Sequence, residues 1–187
     1  MKKYLFSLIC PIVFVSCTRE MYERKIQSYL NTSASSERAK YQSESFHSYF
    51  EEKKGGGKDK AAALKSFDNW DGPLNPDIQI YRYTVKHKTW MIWFNEQNDF
   101  TKAIVYPGWK GSMSITFDRK GLLEETIYFP DSTNAPYKPF LLPAIEWLRK
   151  NRPEELNEVY RDNKLIQTTA SANKWKVLLN AWRQGKK

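Results

Sequence analysis

An apolar run from Tyr4 to Val15, preceded by Lys2 and Lys3, opens the chain and gives way to stretches with helical spacing. Tyr22, Ile26, Tyr29 and Leu30 fall on one face of a helix over residues 20 to 31. Ala39, Phe46, Tyr49 and Phe50 form one stripe of a second helix, expected over residues 36 to 52. The polar break NTSASS between them supplies N-cap residues, and EEKKGGGKDK, residues 51 to 60, reads as a flexible loop within the domain. Asp59 is placed to cap a third short helix, KAAALKSFDNW, which ends before the turn signal DGPLNP.

From Ile78 the pattern becomes that of strands. IQIYRYTV and TWMIWFNE, separated by KHK, are rich in β-branched and aromatic residues. Met113, Ile115 and Phe117 alternate in GSMSITF, DRKG supplies a tight turn, and LLEETIYF returns, which predicts an antiparallel meander. Helical spacing resumes with Phe140, Leu141, Ala144, Ile145 and Leu148, then with Ala172, Trp175, Leu178, Leu179 and Trp182. Pro153 is suited to start a new helical turn between them. Helices first and strands later indicate an α+β domain, with helices laid on one concave face of a curved antiparallel sheet and two further helices at the C-terminus.

The N-terminal run is too short to span a bilayer, which takes roughly 20 apolar residues, and with its two lysines it has the layout of an export signal. Its end, Phe14-Val15-Ser16-Cys17, resembles a bacterial lipobox, which implies cleavage before Cys17 and a lipid on that cysteine; Thr18 after it implies the outer membrane, facing the periplasm or the cell surface. The division expected is a signal peptide over residues 1 to 16, a lipidated N-terminus and first helix over 17 to 35, and one domain over 36 to 187. The other cysteine, Cys10, lies within the signal, so the mature domain has no internal disulfide and must rely on its core. The net charge of +9 is dispersed over the sequence without a nucleic-acid motif, which argues against nucleic acid and for a solvated surface with some attraction to anionic lipid or glycan.

The segments WDGPLNP, EQNDF, SITFDRKGLLEETIYFPD, EWLRKNRPEEL and ANKWKVLLNAWR resemble those of SnoaL-like proteins of the nuclear transport factor 2-like superfamily, over roughly residues 58 to 184. The resemblance implies a conical fold whose interior often holds a small molecule. It also implies association into homodimers through the outer face of the sheet, and, in the enzymes of the group, a carboxylate or histidine inside the cone for proton transfer. Two features depart from the pattern: the glycine loop at Gly55 to Gly57, and the helices after the last strand, whose Trp175 and Trp182 could plug the cone.

The polar insert Asn95 to Asp99 at the end of the tryptophan strand is the candidate site. Asp99 is the expected base if a bulge turns it inward, with a neighbouring tyrosine as donor. Trp90, Trp93, Glu96, Asn98, Tyr81 and Tyr128 are the expected ligand-binding residues. His47 would border the cone from the second helix and His87 sits at a hairpin tip; two isolated histidines make no metal site, and no cofactor is implied. Three functions fit: an anchored protein binding a small apolar or aromatic ligand, an interaction or dimerisation module with a filled cone, and a lyase or isomerase acting on a hydrophobic ring compound.

Overall fold

The structure is a computed structural model that describes residues 10–51 and 56–185, and of residues 10–18 the backbone alone. Most of the expected signal, residues 1–9, lies outside it, as does the side chain of Cys17. Helix α1 (Cys10–Asn31) runs continuously through the expected cleavage point. Among the described residues no helix is long and apolar enough to cross a membrane.

The expected second helix over 36 to 52 does not form. Only α2 (Ser35–Ala39) is helical, and Gln42–Phe50 is strand β1. QSESFHSYF satisfies both periods, since Phe46, Ser48 and Phe50 also alternate with His47 and Tyr49. Pairing at the open edge of the sheet seats Phe46 in the core beneath α1, burial that a solvated helix would not give it, and this decides between them. After β2 (Lys58–Asp59), α3 (Lys60–Asn69) starts at its expected cap, with the Asp59 carboxylate accepting from Ala62 N at 2.8 Å. A 3₁₀ turn, Gly72–Leu74, leads into β3 (Asp77–Lys86) and β4 (Thr89–Gln97). A short helix α4 (Asp99–Ala103) precedes β5 (Trp109–Phe117) and β6 (Leu123–Pro130).

The six strands are ordered β2-β1-β6-β5-β4-β3. β3 to β6 are the expected antiparallel meander, but β1 joins β6 in parallel, so the sheet is mixed. β2 pairs with β1 across the glycine loop. α1 lies on the concave face, where Ile26, Tyr29 and Leu30 bury against Phe46, Ile78, Trp90, Ile92, Phe94, Ile115, Phe117 and Leu123. Asn31 fixes the far end of α1 to β3: its Oδ1 accepts from Ile78 N at 2.6 Å and its Nδ2 donates to Ile78 O at 3.1 Å.

The C-terminal part comprises α5 (Lys138–Asn151), α6 (Pro153–Val159), a hairpin of β7 (Tyr160–Arg161) and β8 (Lys164–Leu165), and α7 (Thr169–Gln184). Trp175 and Trp182 do not plug the cone. They pack into a second core with Leu74, Phe100, Leu141, Leu148 and Val159, formed by α4 to α7 and the 3₁₀ turn. Helical stripes on α5 and α7 face each other there, which satisfies both without recourse to the cone.

Candidate functional site

Strand alternation sorts the expected site residues into two groups. Along β4, Trp90, Ile92 and Phe94 are buried toward α1, and Glu96 shares their parity. Trp90 is buried against Tyr22 and Tyr83 as part of the core. Trp93 has the opposite parity and lies on the outer face, where the Arg82 guanidinium stands 4.4 Å from its ring. Tyr81, in the bulge of β3, is 62% exposed. Trp93 and Tyr81 therefore do not line one cavity with Trp90: an odd spacing on β4 puts Trp93 on the other face, and the bulge in β3 turns Tyr81 out.

The polar insert is the end of β4 and a helix cap. Asn98 is buried as the N-cap of α4: its Oδ1 accepts from Thr101 N at 2.9 Å while Thr101 Oγ1 accepts from Asn98 N at 2.8 Å. Asp99 is not turned inward by a bulge. It opens α4, where a carboxylate complements the helix dipole, and it accepts from Asn75 Nδ2 at 2.7 Å near the surface. His47 lies on β1 and faces outward, into a groove of about 540 Å³ that also takes in Tyr49, Ser114 and Thr116.

The inward acid is Glu96. It pairs in register with Trp109 of β5 and Ile78 of β3, at the end of the sheet away from the hairpin tips. Burial raises its pKa to about 7, helped by the negative charge of Asp71 and opposed by Arg38. Asp71, just before the 3₁₀ turn, is itself raised, by burial first, with Arg38 and Lys58 acting against the rise. Arg38 is held between two rings, 4.4 Å from that of Tyr29 and 4.1 Å from that of Phe67. Both acids thus feel the charge of one guanidinium.

Tyr128 completes the cluster. Its ring lies 5.9 Å from that of Phe94 and 5.4 Å from that of Phe50, and passes so close to Gly111 that a Cβ there would stand 2.7 Å from it. Burial, and then the charges of Glu96 and Tyr106, push its hydroxyl to about 12, so it stays a donor at any ordinary pH. Neither the Glu96 carboxyl nor the Tyr128 hydroxyl is hydrogen-bonded to another described residue. A carboxyl near neutrality can accept or give a proton, and a fixed phenol can donate to an oxygen that gains charge. Among the described residues no group of three or more His, Cys, Asp or Glu side chains is placed to hold a metal ion.

Arg38 and Asp71 were not legible as site residues, since ERAK reads as helix surface and DGPLNP as a turn. The parity of Glu96 with Phe94 was the available signal for the acid.

No family model and no curated protein matches the chain. Solved structures match its fold. SalBIII, an epoxide hydrolase/cyclase-like enzyme of pyran ring formation in salinomycin, is 11% identical, over 62% of this chain and 95% of its own, with a TM-score of 0.50. A protein of unknown function with a cystatin-like fold from Methylobium petroleophilum is 19% identical, over 63% and 80%, with a TM-score of 0.49. A SnoaL-like protein from Burkholderia thailandensis is 7% identical, over 60% and 94%, with a TM-score of 0.49. The mixed α+β architecture with its six-stranded sheet is thus a fold shared with SalBIII.

Proposed function

We propose that this chain is an exported lipoprotein whose cone binds a small, mainly apolar ligand through one hydrogen-bonding group held by Glu96 and Tyr128. The observation that supports it is the pair itself: a partly buried carboxyl and a phenol face one aromatic interior, and neither is hydrogen-bonded to another described residue. Buried polar groups ordinarily find partners, and a ligand hydroxyl or carbonyl supplies one here. Titration with naphthalene and 2-naphthol, followed by thermal shift, tests the reading. 2-Naphthol should stabilise the protein more, and Glu96→Gln with Tyr128→Phe should remove the difference. Equal, unsaturable responses to both compounds would refute it.

A second reading, proton transfer on a hydrophobic ring compound, is favoured by the coupling of Glu96 to Asp71, which places one carboxyl near neutrality beside another. In this reading Glu96 takes the proton from the carbon next to a ring ketone, the electron pair moves onto the ketone oxygen, and the Tyr128 hydroxyl donates to that oxygen. SalBIII, of the same fold, is described as epoxide hydrolase/cyclase-like. Exchange of the benzylic α hydrogen of 2-tetralone for deuterium, faster with the protein than with Glu96→Gln, separates turnover from binding alone.

Anchoring rests on the lipobox-like end at Cys17 and assigns the protein to the outer membrane, facing the periplasm or the cell surface. Acylated Cys17 at the N-terminus of protein from native membranes, and its loss to the soluble fraction in Cys17→Ser, are the expected results. The outer sheet face, with Trp93, Tyr81 and the groove beside His47, is the surface for a homodimer, which sedimentation of the full chain in detergent would detect.

A further inference from the structure

The two long hairpins meet the middle of α1 at one end of the molecule. Thr89 and Thr116, which flank the turns, face each other with hydroxyls 3.4 Å apart, so the turn at residues 87 and 88 lies beside that at 118 to 121. Tyr22 of α1 packs against both, its ring 4.7 Å from that of Phe117 and 5.8 Å from that of Trp90. Lys25 Nζ reaches the Gly121 carbonyl at 2.5 Å.

This end is basic and also exposes apolar side chains. Lys86, Lys88, Arg119, Lys120 and Arg24 are exposed. Nearby acids are largely engaged: Glu23 pairs with Arg19 at 2.8 Å, and the Asp118 carboxylate accepts the backbone N–H groups of Lys120 and Leu122, each at 2.8 Å. Glu20 is exposed on α1, and Glu124 and Glu125 stand past the tips, beside the outer groove. Met21 and Val85 are 47% and 46% exposed at the same end. Exposed apolar side chains within a cationic ring suit the boundary between headgroups and acyl chains, where each Lys or Arg near an anionic surface strengthens attraction about fivefold. α1 continues from Tyr22 toward the apolar N-terminal run, and Cys17 precedes Tyr22 by about 8 Å along the helix.

We infer that this end is a docking collar for the anionic phospholipid headgroups of the bilayer that holds the protein. The inference rests on the proposed lipid anchor for its placement, since the collar surrounds the root of the anchored segment. It also orients the site. Glu96 stands at the opposite end of β4 from Thr89, about 23 Å along the strand, so the acid cluster faces the aqueous side rather than the membrane.

The test uses the full lipidated chain in vesicles of phosphatidylcholine alone or with roughly one-third phosphatidylglycerol, with lysine acetylation followed residue by residue in mass spectrometry. Lys86, Lys88 and Lys120 should be acetylated several-fold more slowly in the anionic vesicles, Lys150 and Lys164 on the helical side at equal rates in both, and high salt should abolish the difference. Replacing Arg24 and Arg119 by glutamate, which leaves the three reporter lysines in place, should weaken their protection in the anionic vesicles. Equal labelling of the tips in both vesicles would overturn the collar while leaving the anchor intact. A chain that washes off the vesicles in high salt would overturn the anchor. In that case low-salt sedimentation of the same chain decides the collar: preferential pelleting with phosphatidylglycerol supports it, and equal pelleting rejects it.

Discussion

Trp90 and Trp93, three residues apart on β4, stand on opposite faces of the sheet: Trp90 is buried between Tyr22 and Tyr83, while Trp93 lies outside with Arg82 against its ring. Their replacements should differ accordingly. Trp90→Ala opens a cavity in the cone core and is expected to cost about 3–5 kcal/mol, whereas Trp93→Ala, losing an outer-face cation–π contact, should cost about 1 kcal/mol or less. Urea unfolding of the two variants measures both.

Glu96 should make stability pH-dependent. Its pKa is raised from 4.5 to about 7 in the folded protein, so the folded state favours the protonated form. Stability is therefore fully present below the unfolded value, falls as pH rises from about 4.5 through 7, and is then lower by about 3–4 kcal/mol. Glu96→Gln, which cannot ionise, should lose less stability than the parent over that window. Denaturant midpoints across the window check it, and parallel curves would show that Glu96 ionises freely.

Asn98→Ala removes a buried capping box and should cost about 1–2 kcal/mol. Asp99→Asn, which keeps a polar partner for Asn75, should change stability by about 0.5 kcal/mol or less and leave the response to 2-naphthol unaltered. Thermal unfolding with and without 2-naphthol tests both variants. A loss of binding in Asp99→Asn would return Asp99 to the site.

Gly111→Ala would put a methyl group 2.7 Å from the Tyr128 ring and 3.0 Å from the Phe129 carbonyl. Relief requires Tyr128 to move, so a loss of about 1–3 kcal/mol in stability and a weaker response to 2-naphthol are expected together. A stable variant with normal binding would show that the ring has room to shift.

The sequence by itself determined the elements whose partners are local. The meander from Ile78 to Phe129 follows from alternation and two turn signals, and Asp59 announces the start of α3 because a cap needs only the next few backbone N–H groups. The stripes of α5 and α7 likewise identified those helices. What the tertiary structure decided is wherever one pattern had two solutions. Residues 42 to 50 fit a helix or a strand locally, and the free edge of β6 made them a strand, parallel to it, where a helix was expected. The tryptophans of α7 could fill the cone or meet α5, and the second core took them. Asp99 and Glu96 are both acids at the end of β4, but a helix cap turned one to the surface while strand parity turned the other inward. The shift of Glu96 depends on Asp71 and Arg38, which lie 25 and 58 residues before it in the sequence. Electrostatic coupling falls off with distance in space, not along the chain, so that acid pair became visible only once the chain was folded.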